Sequence, residues 1–170
     1  MGGYISQDPI KLFGGKQLYN YVYDVNSCID ALGLKERVWD TQNMDFDTWF
    51  DQASISDIEA SMADVTSIDG LRNGGGKHEL FPVALAPKAK ELGFSADELK
   101  KMSVETNRIT FENVIDRKTG EILPAGMHHK SKASSHFHSS LMEDLASANT
   151  KTEAKKIIAQ HHKKHMKLDH

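Results

Sequence analysis

The sequence predicts an α+β fold that is predominantly helical, and three observations carry that expectation. Beyond Lys35, apolar residues recur mostly three or four apart, the period of a helix with one buried face. Only two short runs, around Ile109 and Ile122, read as strands. Glycines at Gly74-Gly75-Gly76, Gly93 and Gly120 fall between these stretches, where they end elements instead of breaking them. At 170 residues the chain can bury one substantial core, with at most a small appendage.

Residues 1–34 stand apart from the rest. Gly2, Gly3, Gly14, Gly15 and Gly33 punctuate short runs such as Tyr19-Asn20-Tyr21-Val22-Tyr23, which suits turns and short strands. Over 35–73 the pattern is helical: Phe46, Trp49, Phe50 and Ala53 form one stripe. Ser54 then opens a helix that continues through Ile58, Met62, Val65 and Ile68. Trp39, Phe46, Trp49 and Phe50 belong to the core on this reading. The glycine triplet is both a stop and a hinge.

Residues 74–145 form the central part. A helix is expected from Ala84 to Leu92, closed by Gly93. Ser95, with Glu98 three residues on, is a capping-box start. Residues 107–111 read as a strand, Asp116–Gly120 as a hairpin turn, and a second strand follows near Ile122. From Ser131 or Ser134 a helix runs through Leu145, with Phe137 and Leu141 facing inward and His136 exposed. Residues 146–170 form a basic helix, from about Thr152, that leads into a His/Lys tail.

The formal net charge is -3, which argues weakly against a polyanionic partner only if the charge is evenly spread. Acids dominate from Glu36 to Asp69, and lysines dominate from Lys151 onward. Cys28 is the one cysteine, which excludes a disulfide framework and a thiolate zinc cluster. A metal must then be held by His, Asp, Glu or Asn. No apolar run is long enough to span a membrane, and Met1-Gly2-Gly3-Tyr4 does not begin a signal peptide. The expectation is a protein that reaches its site of action without a signal peptide of its own.

Lys77-His78-Glu79-Leu80-Phe81-Pro82, Thr106-Asn107-Arg108-Ile109 and Gly126-Met127-His128-His129, with His136 and His138 after them, are the segments that suggest chemistry. Hydrolysis of a phosphodiester needs a base for water, a cation on the phosphoryl oxygens and a group that positions them. In a regular strand His78 and Glu79 point to opposite faces, so a shared site requires a kink between Gly76 and Pro82. So many imidazoles suit Zn²⁺, Mn²⁺ or Ni²⁺ better than the oxygen-rich shell of Mg²⁺. The plainer alternatives are a structural His78, a solvated Glu79 and a turn-forming Asn107. His161 and His165 lie four apart and share a helix face, but the lysines around them repel a cation. A solvated or phosphate-touching tail is the expectation there.

Two resemblances extend this reading. Gly3-Tyr4-Ile5-Ser6-Gln7-Asp8-Pro9-Ile10, Gly15-Lys16-Gln17-Leu18-Tyr19-Asn20-Tyr21-Val22 and Ile29-Asp30-Ala31-Leu32-Gly33-Leu34 resemble the closing elements of the Rhs/YD-repeat shell of polymorphic toxins. The resemblance covers residues 1–34 and implies a junction between that shell and a C-terminal toxin. It implies Asp8 and Asp30 as an aspartyl pair and autocleavage after Leu34. Lys11 stands where that family has Gly and Ala31 where it has Pro, so a vestigial junction is expected.

Residues 74–145 resemble, more loosely, toxins of the HNH superfamily. Lys77–Pro82 looks like their "HHxxP" element, with Glu79 in place of the second His. Leu92-Gly93-Phe94-Ser95 through Asn107-Arg108-Ile109, and Gly126-Met127-His128-His129 followed by His138, resemble the later elements. This implies a ββα-metal (HNH-like) core with added helices, holding one divalent metal ion (Zn²⁺, Mn²⁺, Ni²⁺ or Mg²⁺). His78, His128 and His138 are then the ligands, and Glu79 is the base, with its role and that of His78 interchangeable and His128 or His129 as other candidates. Asn107 positions the base or the loop, and Arg108 and Lys130 contact phosphate. The expected activity is a toxin that cuts DNA in the cytoplasm of a competing cell, after delivery by a specialised secretion system, and is neutralised by a cognate immunity protein. A ribonuclease using the same site, and a non-enzymatic binding module with a structural His cluster, are the alternatives.

Overall fold

The computed structural model describes residues 36–128 and 131–168, which belong to one unit, Glu36–His170. The expected junction with Asp8, Asp30 and Leu34, and the site residues His129 and Lys130, lie outside the described residues. The architecture is mixed, with short helices, two long ones and two small sheets.

The first helices start where side chains cap them. Asp45 accepts from Thr48 N–H and opens α1 (Phe46–Gln52), which buries Phe46, Trp49 and Phe50 at helical spacing. Trp39 packs edge-on against Phe46 with centroids 5.0 Å apart, so these aromatics are core, as their spacing predicts. Ser54 and Asp57 form a reciprocal capping box at the start of α2 (Ile55–Ala60), and α3 (Met62–Val65) follows with Val65 buried. The glycine triplet ends this helical part, with φ of +87°, +73° and +68° at Gly74, Gly75 and Gly76. It is pinned as well as bent: Gly74 N–H donates to Ile68 O at 2.7 Å, and Gly76 O accepts from Thr106 N–H at 3.1 Å.

The strand β1 (Lys77–Glu79) pairs antiparallel with β2 (Ser103–Glu105), with His78 opposite Val104. Between them lie α4 (Ala86–Glu91) and α5 (Ala96–Lys101). The helix expected from Ala84 instead begins as a 3-10 turn over Val83–Leu85 and becomes α-helical only at Ala86. Pro87 explains the offset, because proline is favoured in the first helical turn and disfavoured deeper in. The Ser95/Glu98 capping box of α5 forms as expected.

The second sheet has the order β4-β3-β5, from β3 (Ile109–Phe111), β4 (Gly126–Met127) and β5 (Met166–Leu168). The turn at Asp116–Gly120 closes through Gly120 N–H to Asp116 O at 2.7 Å. The strand expected near Ile122 reduces to a bridge between Ile115 and Ile122, and ladder pairing resumes at Gly126 and Met127. Pro124 lies between them and has no N–H to donate.

Two long helices complete the fold. Ser131 caps α6 (Lys132–Ser147), and Thr150 caps α7 (Lys151–His165), which returns along α6. The expected His/Lys tail instead continues into β5 and extends the sheet on the free side of β3, with Phe111 opposite Met166. Glu112 N–H donates to His165 O at 2.9 Å and carries the pairing up to the helix end. Among the described residues no helix is long and apolar enough to cross a membrane.

Lys151 and Lys155 of α7 both contact Glu98 of α5, joining the start of α7 to the middle of the chain. These contacts, led by Lys151 and the Ser95 N–H, hold the Glu98 carboxyl at about 2, below its ordinary 4.5. A carboxyl depressed in the folded state contributes stability above its unfolded value and loses it as pH falls toward the folded one. Denaturant melts of the native protein and Glu98→Gln should therefore differ near pH 6 and converge as pH falls from about 4.5 toward 2. An equal gap across that range would show that the carboxylate contributes nothing.

Candidate metal centre

Three elements bring imidazoles to one point. His78 is the middle residue of β1 and is 1% exposed. His128 follows directly on β4, and His138 lies in the second turn of α6. The spacing of Ala133, Phe137, Leu141 and Leu145 fixes which face of α6 is buried, and His138 sits at the edge of that face, half-buried. Phe111 and Phe137 stack with centroids 4.4 Å apart, and each also packs against the ring of His78.

His78 Nδ1 lies 3.0 Å from His128 Nε2 and 3.4 Å from His138 Nε2. All three nitrogens fall within 4.8 Å of one another. Tetrahedral bonds of about 2.0–2.1 Å from imidazole nitrogen to zinc set neighbouring ligand atoms about 3.3–3.4 Å apart. His78, His128 and His138 can thus hold a metal ion together. His138 Nδ1 donates to Ser134 O at 2.7 Å, which leaves its Nε2 lone pair for the shared point. Among the described residues no Asp or Glu joins the group. His78 is buried, whereas His128 and His138 are half-buried. Zinc sites that do chemistry have three protein ligands, whereas closed structural ones have four.

The other sequence-derived residues lie elsewhere. Successive strand residues face opposite ways, and Glu79 turns from the imidazoles into a recess lined by Leu71, Phe81, Val83, Ala86 and Leu99. No kink between Gly76 and Pro82 brings it back, because β1 keeps regular pairing through Glu79 with Ser103. Burial there raises its carboxyl above the ordinary value, with Arg72 and Lys77 opposing. Asn107 and Arg108 are exposed in a 3-10 turn, Thr106–Arg108, between β2 and β3. Among the described residues the Asn107 side chain makes no hydrogen bond to the three imidazoles.

The C-terminal histidines hold a residue that the sequence reading passed over. His161 pairs with Asp144 at 2.7 Å, and His165 Nδ1 donates to Glu112 O at 3.2 Å. His162, between them, is buried, and its Nε2 lies 2.9 Å from Nε2 of His78. Burial chiefly pushes its pKa down to about 4, so the ring is neutral near pH 7. The signal was available: the buried positions Ala154 and Ile158 of α7 are four apart, and His162 is the next step of that stripe.

No protein-family model, curated protein or solved structure matches this chain.

Gly126 sets the approach of β4 to the start of α6. A Cβ built there would lie 2.1 Å from Ser131 Cβ and 2.5 Å from its hydroxyl, which caps the helix. Gly126→Ala should displace that cap and cost about 1–3 kcal/mol in a denaturant melt. It should also weaken cation binding, since His128 and His138 flank the displaced segment; unchanged stability would contradict this packing. Glu79→Gln should leave zinc affinity within about twofold. His138→Ala should lower it by more than the roughly 10–100-fold typical of losing a supporting contact. Competition titrations with a chromogenic chelator measure both, and equal losses would put Glu79 back at the site.

Proposed function

We propose that this protein is a metal-dependent endonuclease that hydrolyses phosphodiester bonds of DNA. The observation that carries the reading is the convergence of His78 Nδ1, His128 Nε2 and His138 Nε2 on one point, with His128 and His138 only half-buried. A divalent ion there would activate water and offset charge on a phosphoryl oxygen. The chain succession supports the same reading: β3 and β4 pair antiparallel, α6 follows, and ligands come from the end of β4 and from α6. That is the order of a ββα-metal core, to which β1 adds the deepest ligand. Zinc, manganese or nickel is the proposed ion, on the chemistry of an all-imidazole set.

The chain's own residues then divide the work. The imidazoles would hold the ion, and Phe111 and Phe137, packed on the ring of His78, would shield that side of it. Arg108, exposed just before β3, and Lys163 and Lys164, exposed on the last turn of α7, are suited to phosphate contacts. Glu79, facing its apolar recess, is left out of this mechanism. The resemblance of the first 34 residues to a toxin shell supports the wider proposal of a toxin module, acting in the cytoplasm of a target cell and restrained by an immunity protein.

Purified protein should nick supercoiled plasmid in the presence of Zn²⁺, Mn²⁺ or Ni²⁺ and lose that activity in EDTA. His78→Ala, His128→Ala and His138→Ala proteins that still fold should lose at least about 100-fold in rate, as expected when a catalytic metal is lost. Full activity in all three would overturn the site. Cleavage of tRNA with intact plasmid would make it a ribonuclease, and tight zinc binding with neither substrate cut would make it a structural metal site.

A further inference from the structure

We infer that His162 is a positioning residue of the metal centre: it fixes His78 in the Nε2-protonated tautomer and so presents the Nδ1 lone pair of His78 to the cation. The inference rests on the metal-centre reading and adds a supporting layer to it. His162 Nδ1 lies 2.7 Å from Ile158 O. A carbonyl only accepts, so Nδ1 of His162 carries the proton. The ring is buried beside Phe137, with centroids 5.1 Å apart, and among the described residues no carboxylate pairs with it. A neutral ring with Nδ1 protonated has a bare lone pair at Nε2. That lone pair is 2.9 Å from His78 Nε2, so His78 supplies the hydrogen. His78 is then protonated at Nε2 and bare at Nδ1, the atom that faces His128 and His138.

The same contacts exclude His162 as a fourth ligand. It meets the nitrogen of His78 that points away from the cation position, and one imidazole cannot turn both nitrogens to one ion. The origin of the relay is helix geometry. Ile158 is four residues before His162, as Ser134 is four before His138, so each ring donates to the carbonyl one turn back. Two of the three ligands thus take their tautomer from helix backbone, His138 directly and His78 through His162.

Glutamine and leucine at position 162 separate this role from simple packing. The Oε1 of glutamine can accept from His78 Nε2 much as the imidazole does, whereas leucine fills the space and accepts nothing. In the full chain, His162→Leu should lower Zn²⁺ affinity about 10–100-fold, the usual cost of losing such a partner. His162→Gln should stay within a few-fold of the native protein. The Co²⁺ absorption bands should shift in His162→Leu and keep their native positions in His162→Gln. Long-range ¹H–¹⁵N NMR of the metal-free native protein reads the tautomer without a mutation, and should find His78 protonated at Nε2. A folded His162→Leu protein with native affinity, a His162→Gln protein as impaired as it, or His78 protonated at Nδ1 would each overturn the inference. A native protein that binds no Zn²⁺ or Co²⁺ yet shows the Nε2 tautomer would overturn the metal reading and leave the His162–His78 contact standing.

Discussion

The imidazole of His78 is buried and meets another ring at each nitrogen, His162 at 2.9 Å on one side and His128 at 3.0 Å on the other. A polar ring in that position costs on the order of 1–3 kcal/mol for each nitrogen left without a partner. Its partners come from α7, from the turn after β4 and from α6, so the ring is satisfied by elements far apart in the chain. The half of the chain that looks most polar in sequence becomes the support of its most buried histidine.

The position of α7 follows from both of its ends. At its start, Lys151 and Lys155 reach Glu98, and Lys151 Nζ also donates to Gly93 O at 3.0 Å. At its finish the chain leaves as β5 and pairs with β3, the strand that contributes Phe111. Along its length it packs on α6, where Phe137 lies against His162. A helix held in this way cannot slide by a residue without breaking the contact between His162 and His78. Rigid placement of this kind is what a supporting group needs if it is to hold a ligand in one orientation.

Much of this was legible in the sequence because it depends on local rules. The capping boxes at Ser54 and Ser95, the aromatic core of α1 and the inward face of α6 follow from spacing and side-chain chemistry alone. His78, His128 and His138 were singled out by the resemblance to HNH-type toxins instead, and the three imidazoles do lie together. What escaped depends on contacts distant in the chain. β5 exists because β3 has a free side, and His162 is buried because α7 packs where it does. Glu79 shows the opposite failure: adjacency to His78 suggested a shared site, but unbroken strand pairing sends neighbours to opposite faces. A lysine-rich stretch reads as solvated, and Lys156, Lys163 and Lys164 are exposed, yet His162 beside the last two turns inward.

The distribution of charge bears on the proposed substrate more than the total does. In the acidic stretch the carboxylates are largely engaged within the fold. Asp45 and Asp57 cap helices, Asp47 pairs with Lys100, Asp51 accepts from Ala96 N–H, and Asp64 and Asp69 share Arg37. Lys156, Lys163 and Lys164 are exposed and make no ion pair with the described residues, and two of them lie on the turn that carries His162. Ion pairing in the N-terminal helical part shortens the reach of its negative field, and the α7 lysines act within a Debye length of about 8 Å at physiological salt. A phosphate of the proposed substrate would meet these lysines at the end of α7. A formal charge of -3 says little about a polyanionic partner when many of the acids are paired or cap helices within the fold.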